Sequence, residues 1–443
     1  MPMAGHMTRR VALAKGALAG AAAWLAVRGI ARGEGSPPSE RLGIAFVGAG
    51  GQAQFSLENL ADQNIVGLCD VDDERAADAY KKFPKARKYT DYRRMLDELH
   101  NQIDAVVVAT PDHIHAPASL MAMRMGKHVY CEKPLTWCID EARRMAQVAR
   151  EKKVATQMGT QGMAGDRSRA GIEVVRSGVL GTVRQMHVWT DRALGWWPQG
   201  VDRPKETPPV PAGLQWDLWL GPAPVRPYNP AYCPFKWRGW LDFGTGSLGD
   251  MGIHNAAMPY LGLNLGLPTT VEVIQSSGAN SETWPACATL RYEFPARGDL
   301  APVTMYWYDG GKKPSAELLG GREPAKNGAI LVGDKGTLYS VEWTGGEWTL
   351  LPRPTFRDYQ PPPPSLPRSP GHHKEWVAAC KGGPAPFCNF PDFASPLTEV
   401  MLLGGLALRT GRKIEWDAQN MRAKNCPDAD RFIRREYRKG WEA

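Results

Sequence analysis

The stretch Leu42-Gly43-Ile44-Ala45-Phe46-Val47-Gly48-Ala49-Gly50-Gly51-Gln52-Ala53 decides the reading of this 443-residue chain. Residues 42–47 are a short apolar run that ends in glycine, the pattern of a buried strand. Residues 52–60 then read as a helix. The turn between them is G-x-G-x-x-A. Gly48 permits the tight turn, Gly50 lets backbone approach a pyrophosphate, and the small Ala53 lets helix and strand pack closely. Gly51 and Gln52 complete the turn, and the helix start aims its N–H groups at the phosphates. A second strand, 65–69, ends at Asp70, 22 residues after Gly48. A carboxylate there accepts hydrogen bonds from the adenosine ribose hydroxyls and repels a 2′-phosphate, so NAD is expected over NADP. A helix-capping or turn aspartate would look the same in sequence.

Working outward, strands and helices keep alternating. Helices are expected at 73–82, 116–125 and 139–151, and strands at 103–109, 128–131 and 155–159. The run Ala105-Val106-Val107-Val108 suits a strand covered on both faces. Short links and strict alternation predict a parallel, doubly wound sheet, hence an α/β fold. Glu132-Lys133-Pro134 follows the strand 128–131, at the carboxyl edge of the sheet, where open α/β sheets bind ligands. A lysine there can hydrogen-bond a substrate hydroxyl and stabilise a developing alkoxide. A solvated lysine before a proline turn is the plainer reading.

Three segments taken together carry a family resemblance: the turn 48–53, Ala109-Thr110-Pro111-Asp112-His113-Ile114-His115, and Glu132-Lys133-Pro134. With Gly249-Asp250-Met251-Gly252-Ile253-His254, the chain resembles the Gfo/Idh/MocA oxidoreductases, which include glucose-fructose oxidoreductase and inositol dehydrogenase. The resemblance implies a Rossmann NAD-binding domain (34–160), then an α/β domain with a large, mostly antiparallel sheet (161–443). It also implies a homodimer or homotetramer through that sheet, and a sugar or polyol substrate. Thr110, Pro111, His113, His115, Glu132 and Lys133 fall on cofactor-contacting positions, with His115 in a loop beside the nicotinamide ribose. Lys133, Asp250 and His254 fall on catalytic ones.

Asp250 and His254 are four apart, so on a helix they share one face. Alcohol oxidation needs a base, and histidine suits that role near neutral pH. His254 is therefore read as general base, Lys133 as its electrostatic helper, and Asp250 as the acid that orients the imidazole or binds substrate. A helix-start aspartate and a satisfied core histidine are the alternatives.

Val183 to Thr190 opens the second half as a strand. Between Trp189 and Trp240 lie seven of the sixteen tryptophans, in a proline-rich stretch without regular pattern. Long irregular loops in compact domains are usually functional. Indole faces pack on sugar C–H faces, so Trp196, Trp197 and Trp237 are candidates for lining the substrate site. The same rings could instead staple the loop. Arg238 is assigned to a cofactor phosphate or a substrate hydroxyl. Further β-like runs at 271–277, 286–294, 303–308, 329–332 and 337–342 suit one wide sheet. Residues 393–409 read as a closing helix, and 432–441 as a charged tail docked on a neighbour.

The first 33 residues read as an export signal of twin-arginine type, from Arg9-Arg10 and the alanine-rich run 17–27. The Ala17–Val27 run is too short to span a bilayer. A periplasmic or exported location is expected, with the cytoplasm as the alternative. These residues hold five cations and no acid, so the formal +8 of the chain leaves only +3 on residues 34–443. A near-neutral body without a basic stripe speaks against nucleic acid, and no zinc spacing, P-loop or nucleophile elbow occurs. Cys380 and Cys388 are near enough in sequence for a disulfide loop. Export in the folded state requires NAD to be loaded beforehand and held tightly. The expected function is hydride transfer between a sugar, glycoside or polyol hydroxyl and that bound cofactor. The alternatives are a redox-neutral NAD-dependent glycosidase, which the retained Lys133 disfavours, and a non-catalytic NAD- or sugar-binding module.

Overall fold

The computed structural model describes residues 41–278 and 280–442. The export-signal segment lies outside the described residues. Six strands form the first sheet: β1 (Gly43–Val47), β2 (Asn64–Cys69), β3 (Arg87–Tyr89), β4 (Ala105–Val108), β5 (His128–Cys131) and β6 (Thr156–Met158). Their order is β3-β2-β1-β4-β5-β6, and every pairing is parallel. The order reverses between β1 and β4, which opens a crevice at the carboxyl ends of the strands. Strands β1 and β4 are buried at every position because helices cover both faces.

Nine strands form the second sheet: β7 (Val183–Trp189), β8 (Thr270–Ser276), β9 (Ala288–Phe294), β10 (Val303–Tyr308), β11 (Gly328–Gly333), β12 (Thr337–Ser340), β13 (Trp348–Leu351), β14 (Ile414–Asp417) and β15 (Arg422–Ala423). Its order is β13-β12-β11-β7-β10-β9-β8-β14-β15. Only β7 and β10 pair in parallel; the other ladders are antiparallel. Strands β9 and β10 alternate buried and half-buried residues, so one sheet face carries core and the other does not. The covered face packs on the helices Ile253–Gly262 and Ser395–Thr410. Trp307, Leu290 and Tyr292 are buried there.

Three expectations are corrected. The helix expected from residue 116 starts at Asp112 instead, with Pro111 as its extended cap, so His113 and His115 sit in its first turn rather than in a loop. The charged tail docks on its own chain: Arg435 donates to the His113 carbonyl at 2.6 Å, Tyr437 to Glu141 at 2.6 Å, and Arg438 pairs with Asp217. All eight cysteines are free, so Cys380 and Cys388 form no disulfide.

Candidate active site

The glycine turn after β1 builds one lobe of a cleft. Gly48 has φ +86°, and a Cβ there would lie 2.5 Å from the Ala109 carbonyl. A Cβ on Gly50 would lie 2.7 Å from the Arg75 carbonyl. Both positions therefore need glycine, and the bare backbone they leave forms a cradle of about 260 Å³. Asp70 lies in its wall. Its Oδ2 accepts from the N–H groups of Ala49 and Gly50, at 2.8 and 3.1 Å, and its Oδ1 from Asp72 at 3.0 Å. Oδ1, with one donor, keeps lone-pair capacity for a further one such as a ribose hydroxyl. The Thr110 Oγ1 at the junction of the lobes is buried with no partner among the described residues. An orphaned hydroxyl beside a cleft walled by bare glycine backbone fits a dinucleotide. Gly51, Gln52 and Pro111 line the same lobe, while Ala53 lies buried beneath it.

The second lobe holds about 350 Å³. Gln52, Thr110, Trp237 and Arg238 line both lobes, so the two adjoin. Lys133 enters it from the end of β5, and Asp250 from a wide π-helical turn, Leu248–Gly252, ahead of the helix Ile253–Gly262. The Lys133 Nζ donates to Asp250 Oδ1 at 2.6 Å and to the Asp250 carbonyl at 2.8 Å. Arg238 Nε reaches Oδ1 at 3.3 Å, and Arg192 Nη1 reaches Oδ2 at 3.1 Å. Three cations thus converge on one carboxylate. They hold it well below the usual carboxylate range, against the opposing effect of burial.

His254 lines the same lobe, edge-on to Trp343 with ring centroids 5.0 Å apart. Burial, then Lys133, pushes its pKa down to about 3, so the imidazole is neutral at physiological pH. Glu132 accepts from Gln161 at 3.2 Å, and burial pushes it up to about 7.

The structure brings together most of the residues singled out in the sequence, and separates some. Asp250 does not orient His254: its two oxygens go to Lys133, Arg238 and Arg192, because the π turn breaks the simple four-residue helical face. His113 and His115 do not line the cleft. His113 bonds the Phe243 and Trp219 carbonyls, and His115 the Pro134 and Thr110 carbonyls. They brace the walls instead. Trp196 and Trp237 line the second lobe, whereas Trp197 is 5 % exposed and bonds Gln199. Trp216, Trp219 and Trp240 staple the irregular loop, Trp216 stacking on Trp219 at 4.8 Å and Trp240 meeting Tyr232 edge-on at 4.7 Å. Arg192 was not legible in the sequence, because nothing local to it points to Asp250, 58 residues away. Trp441, from the docked tail, closes the far end of the first lobe.

A parallel sheet with a glycine cradle at its switch point, joined to a polar cavity under a second sheet, defines a two-domain dinucleotide-binding protein. Residues 42–160 match the oxidoreductase family's NAD-binding Rossmann fold, and residues 168–342 match its C-terminal α/β domain. The chain belongs to this Gfo/Idh/MocA oxidoreductase family. It is 33 % identical over 163 residues to D-glucoside 3-dehydrogenase of Escherichia coli, covering 35 % of this chain and 44 % of that one. It is 24 % identical over 176 residues to a glycosyl hydrolase family 109 protein of Shewanella pealeana, covering 38 % and 39 %. The matched stretches span less than half the length of the curated relatives. Among solved structures, an inositol dehydrogenase homologue of Azotobacter vinelandii, complexed with NADH and myo-inositol, superposes with TM-score 0.55 at 16 % identity. The superposition covers 85 % of this chain and 98 % of that one, and it shows the shared fold.

Proposed function

We propose that this protein oxidises a hydroxyl of a sugar, glycoside or polyol with NAD held in the first lobe. The observation that carries the reading is the placement of Lys133 and His254 in one cavity adjoining the glycine cradle. Gly48, Gly50, Gly51, Asp70 and Thr110 would hold the cofactor, and Asp70 favours NAD over NADP. When bound, NAD supplies a hydride-accepting nicotinamide. The chain's own residues bind the alcohol, remove its proton and stabilise the charge left on oxygen. The neutral His254 imidazole accepts the hydroxyl proton. The Lys133 ammonium, fixed by Asp250, offsets negative charge on the alcohol oxygen and so makes that proton easier to lose. Trp196 and Trp237 offer apolar faces to sugar C–H groups.

Release of bound NAD(H) from protein purified from its native compartment, followed by a sugar and polyol panel read by nicotinamide absorbance, tests this reading. Bound nucleotide and an absorbance change with at least one polyol are expected. Absence of both would overturn it. The similarity to a glycosyl hydrolase family 109 protein supports a second reading, redox-neutral glycoside cleavage through a keto-sugar. Free monosaccharide released without net change in nicotinamide absorbance would favour that one.

We also infer export of the folded chain with its cofactor loaded, because NAD is not replenished outside the cytoplasm. Assembly through the second sheet is inferred as well. Its outer face carries the half-buried Tyr306 and Tyr308, stacked with His187, and the exposed Ile274.

A further inference from the structure

We propose that the substrate of this site is a sugar acid, whose carboxylate is received by Arg192 and Arg238. The inference rests on the sugar-oxidation reading above and narrows its substrate class. It comes from the charges in the second lobe. Lys133, Arg192 and Arg238 all face it, and all three spend a contact on the single carboxylate of Asp250. Their side chains are only 16–23 % exposed. Glu132, the other carboxyl in the lobe, is buried and pushed towards its neutral form, and His254 is neutral. The lobe therefore holds more positive than negative charge in a partly enclosed space, a costly arrangement unless an anion completes it.

The two arginines are set up to receive that anion. The Arg192 guanidinium lies 3.5 Å from the centre of the Trp196 ring, and that of Arg238 4.3 Å from the Trp237 ring. These ring contacts restrict both guanidinium groups. Arg192 uses Nη1 on Asp250, which leaves Nε and Nη2 without a hydrogen bond among the described residues. Arg238 uses Nε on Asp250 and Nη1 on the Phe235 carbonyl, which leaves Nη2. The free Nε and Nη2 of Arg192 match a carboxylate in bidentate geometry, and Arg238 adds a single Nη2 contact. Arg238 also borders the first lobe, so a cofactor phosphate is a competing partner for it. Arg192 borders only the second lobe, and the test therefore turns on Arg192.

The probes are D-glucuronate and D-galacturonate, their neutral parents D-glucose and D-galactose, and D-glucose 6-phosphate as the other common sugar anion. Binding to the full-length, NAD-loaded protein is read by tryptophan fluorescence, and turnover by nicotinamide absorbance. A uronate is expected to bind at least tenfold more tightly than its neutral parent, with the advantage shrinking as salt is raised. In Arg192→Gln that ratio is expected to fall towards one, and Arg192→Lys should restore part of it. Because the ratio is measured within one protein, a partial loss of folded material does not move it. A neutral sugar that is oxidised and binds as well as its uronate would overturn the proposal while leaving sugar oxidation standing. An unchanged ratio in Arg192→Gln, or a preference for the phosphate over both uronates, would also overturn it. No bound nucleotide and no turnover of any probe would instead overturn the oxidation reading on which it rests.

Discussion

Lys133 and His254 face one cavity in different electrical states, a cation clamped by Asp250 and an imidazole kept neutral by burial and by that cation. Replacing Lys133 with Met or His254 with Asn should lower kcat by roughly 10²–10⁴, the range for losing a positioned acid–base or electrostatic group. Bound NAD should be retained in both, which nucleotide release would check. In the first lobe, Asp70→Ser removes the carboxylate proposed to meet the ribose and to repel a 2′-phosphate. The ratio of NAD to NADP affinity should then fall by about tenfold or more, or about 1.4 kcal/mol by titration. Glu132 is a third test. Its carboxyl is raised from 4.5 to about 7, mainly by burial. The folded state thus binds its proton more tightly than the unfolded state, and stability is lost as pH rises from 4.5 through 7. Glu132→Gln should therefore gain stability relative to the wild type across that window, on the order of 3 kcal/mol in denaturant titrations. A difference that does not change with pH would contradict the burial argument.

The carboxyl-terminal segment acts as a strap over the first lobe. Arg93 donates to the Gly440 carbonyl at 2.9 Å and stacks on Trp441 at 4.0 Å, which places that indole in the lobe wall. Removing residues 434–443 should raise the NAD dissociation constant by tenfold or more, and Trp441→Ala by a smaller factor, in equilibrium dialysis. Unchanged affinity in both would show the strap to be structural only. Sequence reading failed at elements of the same kind. Strands β1, β2, β4 and β5 were legible because a strand covered on both faces is a continuous apolar run. The edge strand β3, Arg87-Lys88-Tyr89, has no such run; β14 is a short segment whose sheet partner β8 is distant in the chain, and β15 is a two-residue hairpin partner of β14. The helix His372–Cys380 buries His372, His373 and Trp376 against the first domain, residues whose pattern does not announce a core. At the site, Lys133 and Asp250 could be found from motifs. The π turn that separates Asp250 from His254, and the arrival of Arg192 from an irregular loop, are set by tertiary packing.

Across the whole molecule, buried imidazoles dominate the response to acid. Burial pushes His113, His254 and His372 down to about 3, and His187 and His373 to about 4. Each is neutral when folded and free to protonate when unfolded, so its contribution is complete above about pH 6.5 and is lost as pH falls towards 3–4. Glu132 and Asp309, both raised to about 7, and Asp70 and Asp112, also raised by burial, work in the opposite direction, but five imidazoles outnumber four carboxyls. The Tm should therefore drop steadily between pH 6.5 and 4.5, and calorimetry would check it. The joined lobes imply that one chain brings an alcohol carbon and a nicotinamide together. The most direct measurement uses a sugar or polyol deuterated at the carbon that bears the reacting hydroxyl. Mass spectrometry of the reduced cofactor should show one deuterium gained in the wild type, and none in Lys133→Met or His254→Asn on the same timescale. A reduced cofactor without label, or labelling that survives both substitutions unchanged, would contradict the assignment of this cleft as the site of hydride transfer.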